Sequence, residues 1–101
     1  MLGLGRIRRL VLDVLKPLKE PSVIEIARYL GDLPGIEGVN VIVSEVDVET
    51  MSLIITIEGS DINYDKIEET LEEIGAVIHS VDQVVVGERI IEPATVTMPK
   101  G

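Results

Sequence analysis

The chain of 101 residues has no cysteine, no tryptophan and no phenylalanine, and only two tyrosines. The missing cysteine excludes disulfides, thiolate nucleophiles and cysteine-based zinc sites. The missing aromatics exclude an aromatic core, so Val, Ile and Leu must fill it. They also exclude the stacking platform of an RNA-recognition sheet. No apolar run approaches the ~20 residues that a membrane-spanning helix needs. Asparagine (two) and glutamine (one) are scarce, a composition that leans towards a thermophilic source. Arg6, Arg8 and Arg9 precede an apolar stretch, as in a signal peptide. Asp13 and Lys16 interrupt that stretch and no small-residue cleavage site follows, so a soluble cytoplasmic protein is expected.

Positive charge is also in short supply. The net charge is −9, yet residues 1–20 hold five basic and two acidic side chains, and the rest hold four basic and sixteen acidic. An acidic bulk is unsuited to binding phosphates and excludes nucleic acid as the expected partner. The split reads as a solvated acidic surface. A sharper alternative is head-to-tail contact between one subunit's basic N-terminal segment and a neighbour's acidic face.

What is present is a pattern that occurs twice. An apolar run, a capped helical stretch, a glycine and a second β-rich run follow one another. The first copy has Leu10-Val11-Leu12, a helix from Ser22 to Leu33, Pro34-Gly35, and Val39 to Val43. The second has Leu53-Ile54-Ile55, a helix from Asn63 to Ile74, Gly75, and a strand from Val77 to about Val86. Ser22 and Glu25 have capping-box spacing, and Val23, Ile26, Ala27, Leu30 and Leu33 make the first buried stripe. Asn63 caps the second helix, whose stripe is Ile67, Leu71 and Ile74, with Glu68, Glu69, Glu72 and Glu73 facing water. Strand one is expected over Arg6 to Leu15, strand two from Val39 and strand three over Ser52 to Glu58, with Glu49-Thr50-Met51 joining the last two. Val39, Val41 and Val43 share one phase and Val46 and Val48 the other, so a β-bulge near Ser44-Glu45 is expected to bring both sets to the core.

These elements predict an α+β chain of βαββαβ order. Right-handed crossovers give an antiparallel four-stranded sheet, order 4-1-3-2, with both helices on one face. This is the ferredoxin-like arrangement. Residues 1–92 form the domain and residues 93–101 a C-terminal tail. Ala94 to Met98 could add a short strand, and the tail either covers its own sheet or reaches a neighbour. The second sheet face carries Val11, Ile42 and one phase of Leu53 to Ile57. Homo-oligomerisation is the simplest way to cover it.

Four stretches carry a resemblance. They are Arg8-Arg9-Leu10-Val11-Leu12-Asp13-Val14-Leu15-Lys16-Pro17, Gly38-Val39-Asn40-Val41 leading into Glu45-Val46-Asp47, Ile55-Thr56-Ile57-Glu58-Gly59, and Gly75-Ala76-Val77-Ile78-His79-Ser80-Val81-Asp82 with Val84-Val85. Together they resemble the archaeal family known as domain of unknown function two-eleven, over roughly residues 6 to 92. The resemblance implies a ferredoxin-like fold, oligomerisation and an archaeal cytoplasm, and brings no catalytic residues. The layout is more distantly similar to two ligand-handling groups of the same fold. Heavy-metal-associated domains use a Cys-x-x-Cys loop, which this chain lacks. In amino-acid-binding domains of the ACT type, Glu20-Pro21-Ser22 and Gly38-Val39-Asn40 would occupy the ligand turns. Ser22 stands where those domains have glycine.

Candidate site residues gather at one sheet end, where strands one and two finish and three and four begin. Asp13, Glu45, Asp47, His79 and Asp82 are the candidate metal ligands, for a hard cation such as Ca²⁺ or Mg²⁺. Asp13 could meet His79 or Asp82 on the neighbouring strand, whereas Glu45 is two strands away, ~10 Å, too far for one shared shell. The competing reading is polar residues on an exposed strand face, since no EF-hand loop is present. His79 is the lone histidine, and Ser80 beside it points to the opposite face, so no nucleophile–base pair forms. No cofactor is firmly implied. The expectation is a non-enzymatic, oligomeric, regulatory module that binds a small ligand or divalent cation. The alternative is a structural self-assembly module with no ligand.

Overall fold

Alternation of apolar residues builds the central strand. In the computed structural model, which describes residues 3–95, β1 spans Ile7–Pro17. Its even positions Leu10, Leu12 and Val14 are buried and its odd positions lie on the other face. Strand β3 (Thr50–Gly59) pairs antiparallel with one side of β1, and β4 (Val77–Val86) with the other. Strand β2 (Ile36–Val46) pairs antiparallel with β3. The sheet order is β2-β3-β1-β4, the arrangement expected from the sequence.

Helix α1 (Val23–Gly31) starts at the expected capping box. The Glu25 amide donates to Ser22 Oγ at 3.0 Å, and the Ser22 amide to Glu25 Oε1 at 3.3 Å. Two of the four orphan amides of the first turn are thereby satisfied. The helix ends two residues before the expected Leu33. Helix α2 (Tyr64–Glu73) is capped by Asn63, whose Oδ1 accepts from the Lys66 amide at 3.1 Å. Ile26 and Leu30 of α1 and Ile67 and Leu71 of α2 pack with Leu10, Leu12, Val14, Leu53, Ile55 and Ile57 of the sheet, an all-aliphatic core. Burial of Tyr64, with Glu68, Asp65 and Glu72 nearby, holds its phenol above the usual range.

Three sequence expectations need correction. Strand β2 begins three residues earlier than Val39, because Gly35 turns the chain at φ +83 directly into it. The bulge is present, as a register shift between Val43 and Glu45. It does not bring Val46 and Val48 into the core: they are 61% and 84% exposed, on a β2–β3 hairpin end that the helices do not cover. The hairpin turn is Asp47 to Glu49, closed by the Asp47 amide donating to Thr50 O at 2.8 Å, rather than Glu49 to Met51.

Strand one as read from the sequence stops at Leu15, one residue short of Lys16. That lysine continues the buried phase of β1 and is only 2% exposed. Its ammonium donates to the carbonyls of Pro17 (2.6 Å) and Leu18 (3.2 Å), so the lysine stitches down its own loop. A buried ammonium needs such acceptors, because leaving it unpaired would cost several kcal/mol, on the order of a whole hydrogen-bonded network.

Candidate functional site

The register of the strands lays out the face without helices row by row. One row reads Ile42, Ile54, Asp13 and Ser80 across β2, β3, β1 and β4. The row on one side reads Asn40, Thr56, Val11 and Gln83. On the other side stand Glu45, Ser52, Leu15 and Val77. This is the uncovered face expected from Val11 and Ile42, and the phase of β3 that shares it is Ile54 and Thr56. Ile42 is 56% exposed and Ile54 37%.

Asp13 lies in the middle of this face. Its Oδ1 is buried and has no hydrogen-bond partner. The hydroxyl opposite, on Ser80, is directed elsewhere, since Ser80 Oγ donates to Asp82 Oδ1 at 2.7 Å. The partner residue on β4 is thus Ser80, not His79 or Asp82, because β4 has a register shift on either side of Ser80 and Val81. An extra residue at each shift moves every later side chain by one place.

The other candidates are dispersed. Glu45 is exposed opposite Ser52, with β3 between it and β1. Asp47 has a local task, its Oδ1 accepting from the Val48 amide at 2.7 Å in the hairpin turn. His79 is exposed on β4. Among the described residues, no three His, Cys, Asp or Glu side chains lie close enough together to hold a metal ion. The set predicted from the sequence thus reduces to Asp13, with the Ser80–Asp82 pair beside it.

The far end of the same face is occupied by the chain's own tail. Gly87 turns the backbone at φ +123 after β4. Arg9 then bridges Glu58 of β3 (Nε–Oε2 2.7 Å) and Glu92 of the tail (Nη2–Oε2 2.8 Å). The paired carboxylates hold the Arg9 guanidinium protonated above its usual range, Glu92 contributing most and Glu58 next. Arg8 donates to the carbonyls of Gly59 (2.8 Å), Gly87 and Glu88. Two of the three early arginines are therefore used within the chain, which weakens the head-to-tail reading of the basic N-terminus. Of the tail strand suggested over Ala94 to Met98, Ala94 and Thr95 are irregular and Val96 to Met98 fall outside the described residues.

Contact with Arg9 holds Glu92 below the usual carboxylate range. A depressed folded-state pKa contributes stability above the free value of about 4.3, which is lost as pH falls through the lowered value. The tail contact is thus expected to persist at neutral pH and to release only under acid. An NMR titration of the Glu92 carboxyl checks this: a midpoint at or above that of a free glutamate would contradict it.

No helix is long and apolar enough to cross a membrane among the described residues. Two comparisons with known proteins bear on identity. The chain is similar to an uncharacterized protein of Methanocaldococcus jannaschii, 49% identical over 86 residues that cover 85% of this chain and 88% of the relative. The sequence model of the DUF211 family, described as "Uncharacterized ArCR", matches residues 8–99. With nearly the whole chain matched, its strand order in place and a relative at close to half identity, the protein belongs to the DUF211 family of ferredoxin-like α+β proteins.

Proposed function

We propose that the chain is a small non-enzymatic module that assembles with its own copies and binds a divalent cation, or a small ligand bearing a cationic or hydrogen-bond-donating group, at Asp13 on the uncovered sheet face. The observation that carries this reading is the buried, unpartnered Asp13 Oδ1. A carboxylate oxygen shut away from water without a donor destabilises the free chain by about 1–3 kcal/mol. Binding would remove that cost, and Val11, Leu15 and Ile54 around it supply an apolar rim. The dispersal of Glu45, Asp47 and His79 supports binding rather than catalysis, since the acid left near Asp13, Asp82, accepts from the Ser80 hydroxyl instead of sharing a proton with Asp13.

Thermal melting in Ca²⁺, in Mg²⁺ and in a panel of amino acids tests the proposal. One of these should raise the melting temperature of the native chain, by about 2.7 kcal/mol of added stability at a hundredfold excess over Kd. Asp13→Asn should lose that rise. In buffer alone, Asp13→Val should be more stable than the native chain by about 1–3 kcal/mol, because it removes the unpaired oxygen. A chain indifferent to every ligand, with Asp13→Val no more stable than native, sinks the proposal. The second reading, a purely structural assembly module, draws on the exposure of Ile42 and Ile54, and an assembly that forms whatever ligand is added would favour it.

A further inference from the structure

Asp13 shares the uncovered face with a second acid, Glu45, which is exposed and in no ion pair among the described residues. Two strands and one row separate them. Asp13 stands level with Ile54 of β3 and Ile42 of β2, and Glu45 level with Ser52 of β3 and Leu15 of β1. Strands lie ~4.8 Å apart and successive rows on one face about 6.7 Å, so the two backbone positions are about 12 Å apart on the diagonal. That span is too wide for the two acids to share one ion. The ground between them is mostly aliphatic, Ile54, Ile42 and Leu15, with the Ser52 hydroxyl at one corner. Arg9, the cation on this face of β1, is held by Glu58 and Glu92 and does not fill either place.

We infer that this diagonal binds a linear aliphatic diamine or polyamine, with one ammonium on Asp13, another on Glu45 and the methylene chain across Ile54. The inference rests on the Asp13 reading above and names the chemical class of its ligand. A divalent metal ion takes six or more oxygens and sheds water only for replacements. Among the described residues no three potential ligands lie together, and the neighbours of Asp13 in its row are Ile54 and Ser80, whose hydroxyl is turned to Asp82. An ammonium is satisfied by fewer acceptors, and Asp13 Oδ1 is a buried acceptor without a donor. Asp13 as a residue is partly exposed, so its carboxylate is approached from the open face. The aliphatic floor adds what a metal ion cannot use, since each methylene leaving water for Ile54 or Leu15 adds hydrophobic stabilisation. The net charge of −9 draws a polycation towards the chain. Length follows from the diagonal. An extended carbon chain advances roughly 1.25 Å per bond, so nitrogens about nine bonds apart, as in α,ω-diaminooctane, span about 11 Å and reach from one acid to the other.

The test is isothermal titration calorimetry on the full chain at low salt, with α,ω-diaminooctane, n-octylamine and α,ω-diaminopropane. The first should bind most tightly, and the last, with nitrogens only about 5 Å apart, most weakly. Glu45→Gln should weaken diaminooctane by about fivefold, the upper range for an exposed ion pair, and leave n-octylamine unchanged. Asp13→Asn should weaken both. Circular dichroism checks that each variant folds. Should Asp13→Asn fail to, methyl NMR of the native chain replaces it, with diaminooctane expected to shift both Ile54 and Ile42. Diaminooctane bound equally by native and Glu45→Gln, or no more tightly than diaminopropane, would overturn the diagonal and leave the Asp13 reading standing. Ca²⁺ or Mg²⁺ binding that needs Asp13, with no amine bound, would do the same. Amine binding that Asp13→Asn leaves untouched, or methyl shifts that miss Ile54, would overturn the inference. A chain that binds no amine, no amino acid and neither metal ion would overturn the inference and the Asp13 reading together.

Discussion

Gly59→Ala is expected to unfold the protein or bring it close to unfolding. A Cβ at Gly59 would lie 2.0 Å from the carbonyl oxygen of Gly35 and 3.0 Å from both Gly35 C and Ile36 Cα. All three are backbone atoms, so no side chain can swing away to make room. The same oxygen accepts from the Ser60 amide at 3.0 Å, so moving it away also breaks a turn. Gly35 is fixed from its other side, at φ +83 with the Asp61 carbonyl 2.3 Å from where its own Cβ would be. Two chain crossings, α1 to β2 and β3 to α2, thus share one point of backbone contact that only glycine permits. Ordinary overpacking costs about 1–3 kcal/mol; a clash with immovable backbone belongs to the rare class above about 4 kcal/mol. That is a large part of the roughly 5–15 kcal/mol holding a domain together. Urea unfolding followed by circular dichroism would show it, and a midpoint within experimental error of native would contradict the crossing.

The sequence marks Gly59 only as the end of a strand, and this shows where its legibility stops. Local signals were readable because their physics is local. Ser22 with Glu25, Asn63 three residues before Lys66, Gly75 at φ +92 and the two buried helix stripes all involve neighbours within one or two turns. The strand order followed from two β-α-β units and the handedness of their crossovers. A crossing between residues 24 positions apart leaves no periodic trace. Nor do the β4 register shifts that place Ser80, rather than His79 or Asp82, opposite Asp13.

The site was legible by residue and not by assembly. Asp13 stands out in the sequence as an acid inside an apolar strand, and the structure gives that oddity a physical cost in its unpartnered oxygen. Asp47 looks equally acidic from the sequence, yet its carboxylate closes its own turn. A lysine beside a proline reads as a strand end, so Lys16 falls outside the expected strand. Its even phase with Leu12 and Val14, visible in the sequence, was the signal that could have found it.

Leu12→Ala and Ile42→Ala should separate the two faces of the sheet by their effect on stability. Leu12 sits on the central strand β1 and is 0% exposed, in contact with the aliphatic core from both helices. Truncation removes its transfer free energy and leaves a cavity, since the surrounding Val, Ile and Leu side chains can only partly collapse. The expected loss is about 2–5 kcal/mol, towards the upper end because the strand is flanked on both sides. Ile42 removes as much hydrocarbon when truncated, but it lies on the edge strand β2 and on the uncovered face. Its loss should cost under about 1 kcal/mol, because more than half of the side chain is already in water. Equal losses at the two positions would mean that Ile42 is covered in solution, and would place a partner on that face after all.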